Sequence, residues 1–523
     1  MNELIKKYPV KLSELCFYIF FVSLLFAKGI GLYDGQTIFK IFLLTALCGW
    51  CGKMLLTEYT RKELLFCAVL SLLGGVIYLS AREKGALFCL LLLCAMKDMD
   101  VKKVFQTGLV TWVISFGGLF LLTSLHIIDS PFKVHDKLGL GRIIRWSLGY
   151  AHPNVLHISC LVLVCFIVYL LQDNFKFKSF LVLMLLNLYV FMYSLSSTGF
   201  LAVSALLALS LYWSLRKKLC KAEQVLIQLC LPVFILLSLA APLVLKGKAF
   251  ELVNKIVNHR LVLSQWFLQN QRVKLFGVDT GELVTSLRTM DNSYVFAWIT
   301  YGLLFFVFMM AGYFMLIYKK TKEQDGVSLC LILACLLAGV TEPFLFNTSF
   351  KNITLIFMGA MLFEEKRPKK KKEKKLRLLS GCDRKLMIRL PDFTAMGKAL
   401  GKAALGYRVK LVLAAVFLGI MAGAAAFSLA RMPERYIMPR TAFEHTDDIE
   451  EVYYLTSPED IPQPGDAVMG YADENTDMVP FSGNIARVER FRNTVSAGML
   501  TAFSVYAFGC VALWMRKRRT NGA

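Results

Sequence analysis

The residues able to do chemistry in this chain gather in three short stretches: RWSLGYAHPN at 145–154, AFELVNKIVNHRLVLSQWFLQNQ at 249–271 and DNSY at 291–294. Arginine presents a planar fork of N–H donors that binds phosphate or carboxylate two bonds at a time, so Arg145 and Arg260 are natural anion ligands. Asp291, His152 and His259 are the groups that can take a proton near neutral pH when their surroundings shift them. Each also has a plainer part to play. An Asp before an apolar run caps a helix. His152 before Pro153 fits a helix start with proline in the first turn, the imidazole and Asn154 bonding nearby backbone. Arg260 can snorkel to lipid phosphate, and His259, its neighbour, points about 100° away from it on a helix.

The elements that must position these groups are membrane helices. Of 523 residues 56% are hydrophobic, and the mean hydropathy of +0.55 leaves more apolar surface than a water-soluble core can hide. Runs such as SELCFYIFFVSLLFAKGI and SYVFAWITYGLLFFVFMMAGYFMLIY reach the ~20 apolar residues that cross a bilayer as a helix. They lack the period-two alternation of barrel strands. The fold class is therefore an all-α polytopic membrane protein with about fourteen spans, of which the fourth (84–97) and twelfth (350–364) are short. The first span is not a removable signal peptide, since no A-x-A-like site follows it. Three parts are expected: a twelve-span body over 1–364, a basic cytoplasmic linker over 365–408, and a terminal two-helix hairpin over 409–523 that brackets an outer segment, 431–495.

Charge orients the bundle. With the N-terminus inside, the inner loops and tail hold about 38 of the 60 Lys and Arg, as the positive-inside rule demands. Both termini are then cytoplasmic, and the net charge of +23 is mostly orientation. The KRPKKKKEKK run has no interleaved aromatics and follows directly on a span, so 366–377 is expected to meet anionic lipid heads, not nucleic acid. The fourteen cysteines avoid the three large outer segments, 126–152, 246–292 and 431–495, which rules out an outer disulfide framework. Two of those segments break the charge rule locally. Lys133, Lys137, Arg142 and Arg145 stand in the first, and Lys246, Lys248, Lys255, Arg260, Arg272, Lys274 and Arg288 in the second, outnumbering their acids. The expected partner is an anion borne by the membrane. Within 249–271 helical periodicity places Val253, Ile256, Val257, Val262, Leu263, Trp266 and Phe267 on one broad apolar face, with Arg260 on that greasy side. Its sharper role is to meet a lipid-linked diphosphate.

These stretches resemble the Wzy-type bacterial polysaccharide polymerases, relatives of the O-antigen ligases. RWSLGYAHPN at the start of a span is similar to their HPN-type signature, and HRLVLSQWFLQNQRVKLFG to their loop running from R through W to FG. DNSYVFAWITYGLL is similar to their DN-x-Y span start, and TEPFLFNTSFKNITLIFMG to their Glu and Asn pattern near the last body spans. The resemblance covers about residues 1–364. Two departures stand out: Ser197 replaces an arginine in the short turn LSSTGF, and Asp291 replaces the histidine of ligase-type relatives.

The resemblance implies a glycosyltransferase-like (GT-C type) body acting on polyprenyl-diphosphate-linked oligosaccharide at the outer face of the cytoplasmic membrane. A hydroxyl of one repeat unit would attack the reducing-end carbon of the growing chain, and the lipid diphosphate would leave. Charge developing on that diphosphate calls for cations, and the hydroxyl must lose its proton. The one D-x-D, Asp98 and Asp100, sits among lysines on the inner side and reads as a solvated turn. Neither metal nor cofactor is expected. Arg260 and Arg145, then Arg142 and Arg272, are expected at the diphosphate. Asp291 is the expected base, its partial burial raising its pKa, with His152 as a further candidate. Tyr150 would meet sugar by stacking or hydrogen bonding, while Asn154, Asn292 and Tyr294 complete the substrate site. A chain-length regulator and a flippase are the further partners implied. Two competing readings are ligase-like glycan transfer to another acceptor, and transport of lipid-linked glycan, which calls for ionisable residues near mid-membrane and broken helices.

Overall fold

The structure, a computed structural model, describes residues 5–125, 127–136, 141–257, 259–284, 289–364, 375–376, 383–391, 407–430, 432–443, 465–469, 478–481 and 484–520. Among these, eleven helices are long and apolar enough to cross a membrane, which makes the chain a mostly helical, multi-pass membrane protein. Two compact units are distinguished. One comprises Lys11–Ser130 and Ser147–Lys385, the other the described residues of Met1–Val10, Pro131–Trp146 and Leu386–Ala523.

The larger unit holds α1 (Leu12–Gly29), α2 (Thr37–Leu56), α3 (Arg61–Ala81), α4 (Gly85–Ala95), α5 (Val101–Ser124), α6 (Pro153–Leu171), α7 (Phe177–Ser194), α8 (Ser197–Arg216) and α9 (Lys221–Val244). It continues with α10 (Gly247–Ile256), α11 (Arg260–Asn270), α12 (Ser293–Lys322), α13 (Gly326–Gly339) and α14 (Leu355–Leu362). Local chemistry fixes where many of these begin. Thr60 and Glu63 form a capping box at α3, with Thr60 Oγ1 accepting from Glu63 N and the Glu63 carboxylate from Thr60 N. Asp100 caps α5, Ser196 caps α8 and Asp325 caps α13. Asp100 of the D-x-D is thereby a helix cap.

Three of the expected spans are shorter than a membrane crossing. Helices α4, α13 and α14 run for 11, 14 and 8 residues. At 1.5 Å per residue they rise about 16, 21 and 12 Å, against a hydrocarbon layer of about 30 Å. All three are packed within the unit. Between α13 and α14 the chain is non-helical over 340–354. A backbone without helical bonds survives at such depth only where protein satisfies it, and side chains do so here. Ser293 Oγ donates to Glu342 O at 2.5 Å and accepts from Leu345 N at 3.2 Å. Asn352 Nδ2 donates to Leu345 O at 2.9 Å, and Tyr301 OH to Phe346 O at 3.1 Å.

Helix α12 is itself irregular. A π-helical stretch, Ala297–Tyr301, ends at Gly302, whose φ of +84° a side chain rarely adopts. There the segment 274–277 crosses it, with Leu303 N donating to Lys274 O and Leu304 N to Leu275 O. A Cβ on Gly302 would lie 2.2 Å from Gly277 N, and one on Gly277 1.9 Å from Thr300 O, so both glycines are required by the crossing.

The smaller unit contains α15 (Arg408–Leu429) and α16 (Ile485–Thr520), paired along their length. Beside them strand Tyr436–Pro439 runs antiparallel to Met478–Phe481 and parallel to Ala467–Val468. The hairpin Phe132–Asp136 and Arg142–Trp146, which the sequence reading placed in the body, belongs to this unit. Its Val134 and Ile144 share a core with Met438, Ala442, Phe443, Val479 and Ile485. Arg492 Nη1 donates to Ile144 O at 2.7 Å, and Trp146 Nε1 to Glu489 Oε2 at 3.0 Å.

Candidate functional site

The 249–271 segment forms two helices, not the single expected one. His259 takes a left-handed φ of +63°, and its amide donates to Asn254 O, so the chain turns before α11 begins at Arg260. Asn254 seals the turn by accepting from Val262 N at 3.2 Å. Arg260 thus leaves the lipid-facing stripe and stands at the first position of α11. Phe267, Met290, Val295 and Ile299 form a buried cluster that holds α11 against the start of α12. Gln265 Nε2 ties α11 to the end of α9 by donating to Pro242 O at 2.8 Å.

This packing brings Arg260 to two carboxylates. Its Nη2 lies 3.2 Å from Asp291 Oδ2 and 3.8 Å from Glu342 Oε1, while Nε donates to Thr341 O at 3.4 Å. Glu342 Oε1 also accepts from Asn154 Nδ2 at 2.9 Å. The exposures of the Arg260, Asp291 and Glu342 side chains are 14%, 23% and 8%, so the cluster is shielded but reachable. Four parts of the unit contribute to it: the start of α6, the start of α11, the residue pair before α12, and the non-helical segment 340–354. One guanidinium faces two carboxylates, which keeps the carboxylates close and their oxygens directed.

The expected residues divide. Arg260, Asp291 and Asn154 meet. His152 is the N-cap of α6, its Nδ1 accepting from Asn154 N at 3.2 Å, with Pro153 at the first helical position as the sequence implied. Asn292, not Asp291, caps α12: its Oδ1 accepts from Tyr294 N and Val295 N, and its Nδ2 donates to Ser238 Oγ. Asp291 is thereby released from capping and faces Arg260. Tyr294 is buried, with its hydroxyl donating to Leu336 O at 2.9 Å. Tyr150 is buried too, and its hydroxyl donates to Gly29 O at 2.7 Å. The geometry gives these two tyrosines an anchoring part, not a sugar-facing one.

The remaining arginines stand on other elements. Arg272 is exposed in the extended segment after α11. Arg145 is buried on its strand in the smaller unit, opposite Lys133. Arg142 lies on the same strand, its side chain outside the described residues, as is Arg288. His259 bonds Asn254 through Nδ1 at 3.2 Å.

Glu342 stood in the sequence as the Glu of the TEPFLFNTSF stretch and as a charge near a span end, without a site role assigned to it. The signal that could have marked it is a carboxylate beside Pro343 in an apolar stretch too short to cross twice. Lys351 gave a similar signal within the expected twelfth span. It is buried, and its Nζ donates to Ser159 Oγ of α6 at 3.0 Å. Compared with known proteins, the chain matches no family model, no curated protein and no solved structure.

Proposed function

We propose that the chain is a glycosyltransferase that polymerises polyprenyl-diphosphate-linked oligosaccharide repeat units at the outer face of the cytoplasmic membrane. The observation that carries this reading is the meeting of Arg260, Asp291, Glu342 and Asn154 from four separate segments. All four residues come from the stretches that resemble the Wzy-type polymerases.

In this reading the cluster meets both chemical needs. A hydroxyl oxygen of one repeat unit attacks the anomeric carbon of the other chain, and the bond from that carbon to the diphosphate oxygen breaks. The electron pair leaves with the diphosphate, the configuration inverts, and the hydroxyl proton passes to a carboxylate. Arg260 keeps Asp291 and Glu342 directed as proton acceptors and exchanges one of them for the diphosphate as charge develops there. The exposed Arg272 and the lysines of 246–274 draw the anion to the site. Ligase-like transfer to another acceptor uses the same chemistry and differs in the hydroxyl supplied.

A second reading, transport of lipid-linked glycan, is favoured by the non-helical segment 340–354 with Lys351 buried in it. Turnover in proteoliposomes separates the two. With lipid-linked repeat units and EDTA present, a polymerase gives a ladder of lengthening glycan. A transporter moves the lipid-linked unit between leaflets and gives no ladder.

A further inference from the structure

We propose that Lys351 is a positioning residue for Glu342, latching the non-helical segment 340–354 to α6. Its catalytic consequence rests on the polymerase reading above; its structural consequence does not. Lys351 is only 5% exposed, and its Nζ donates to Ser159 Oγ at 3.0 Å. The ammonium also lies 5.2 Å from the ring centroid of Tyr150 and 6.0 Å from that of Trp112. Among the described residues no carboxylate lies within ion-pair distance of it.

Two walls of the pocket around it are tied to neighbouring helices, and the third is fixed within α6. Trp112 Nε1 of α5 donates to Ser159 O at 2.9 Å, Tyr150 OH to Gly29 O of α1 at 2.7 Å, and Ser159 Oγ to Val155 O at 2.7 Å. A cation held at this depth without a counter-charge is costly, and methionine would fill the same volume without that cost. What the ammonium adds is a directed bond to α6.

That bond has a specific geometric effect. Glu342 reaches α6 through Asn154, and Lys351 reaches it through Ser159. Asn154 and Ser159 are five residues apart, about 7.5 Å along the axis at 1.5 Å per residue. Ser293 and Tyr301 tie the segment to α12, and Asn154 and Lys351 tie it to α6 at two points, so that the Glu342 carboxylate keeps one place beside Arg260 while both helices hold it. Proton acceptors misplaced by about 1 Å can cost about 100-fold in rate. Lys351 touches neither Arg260 nor Asp291 in the contacts described and so acts only through the segment.

The test compares wild type, Lys351→Met, Ser159→Ala, Glu342→Gln and the double variant Lys351→Met/Glu342→Gln. Backbone hydrogen exchange over 340–354 is expected to rise about tenfold in Lys351→Met, as for the loss of one charge-assisted hydrogen bond, while exchange in α7 and α8 stays unchanged. Turnover is expected to fall about 10- to 100-fold at unchanged KM for the repeat unit. The double variant is expected to be no slower than Glu342→Gln alone, because both act at one carboxylate. If Lys351→Met does not fold, Ser159→Ala removes the same bond and carries the same comparison. Unchanged exchange over 340–354 overturns the latch. Rate losses that multiply in the double variant overturn its action through Glu342. If wild type makes no glycan ladder, the polymerase reading fails, and the exchange comparison still decides the latch.

Discussion

Replacing Arg260 by alanine removes the cation that contacts both Asp291 and Glu342, and the structure sets the scale of the effect. At an effective dielectric near 20, unit charges 3.2 and 3.8 Å apart attract by about 5 and 4 kcal/mol. Desolvation of the three groups offsets much of that gain in the intact protein. Truncation is nevertheless expensive, since it leaves two shielded carboxylates without this cation; about 3–5 kcal/mol is expected. Glu342→Gln alone keeps an oxygen for Asn154 and should cost about 1–2 kcal/mol. In the double variant only Asp291 remains, so the costs should fall short of additivity by about 1–3 kcal/mol. Equilibrium unfolding of the purified protein in mixed micelles, followed by tryptophan fluorescence, measures all three. Additivity within about 0.5 kcal/mol would refute the shared cluster, since uncoupled sites behave in that way.

Other expectations follow from the same contacts. Arg260→Lys keeps the charge but loses the planar fork, so unfolding should change by about 1–2 kcal/mol while ladder formation falls at least tenfold; retained activity would show that charge alone suffices. Tyr150→Phe deletes the bond to Gly29 O and should cost about 1 kcal/mol with no change in KM for the repeat unit, and a raised KM would restore Tyr150 to the sugar site. Gly302→Ala meets both a left-handed backbone and the Gly277 amide, and little folded protein should be recovered from membranes; normal yield would mean the crossing yields easily. Ile144→Asp buries a charge in the core shared with Met438 and Val479, so proteolysis should cut the C-terminal segment first, whereas first cleavage in the body would contradict the grouping of 131–146 with that unit.

Much of this architecture was legible in the sequence because membrane helices announce themselves by length and hydropathy, and helix starts by their caps. Pro153 after His152 marked the start of α6, and DNSY the start of α12, although the cap there is Asn292. Arg260 and Asp291 were each singled out in the sequence, but their pairing with one another was not. Hydropathy, however, counts apolar residues and not helical bonds. It therefore read 327–345 and 350–364 as spans, where the structure has two short helices joined through a non-helical segment whose backbone is satisfied by Ser293, Tyr301 and Asn352. Glu342 and Lys351 gain their partners only through that fold. The break between α10 and α11 was hidden because Val257 and Arg260 fit a continuous helical pattern and a left-handed His259 leaves no compositional trace. Strand partners some 300 residues apart, such as Val134 and Phe443, are likewise invisible to local patterning.

The most direct test of the central claim is the release of polyprenyl diphosphate when purified protein in liposomes is mixed with lipid-linked repeat units, with EDTA present. One diphosphate should appear for each glycosidic bond in wild type, and release should be at least about 100-fold slower from Arg260→Ala or Glu342→Gln protein that hydrogen exchange shows to be folded. Release that proceeds equally in the folded variants would contradict the placement of the chemistry at Arg260, Asp291 and Glu342.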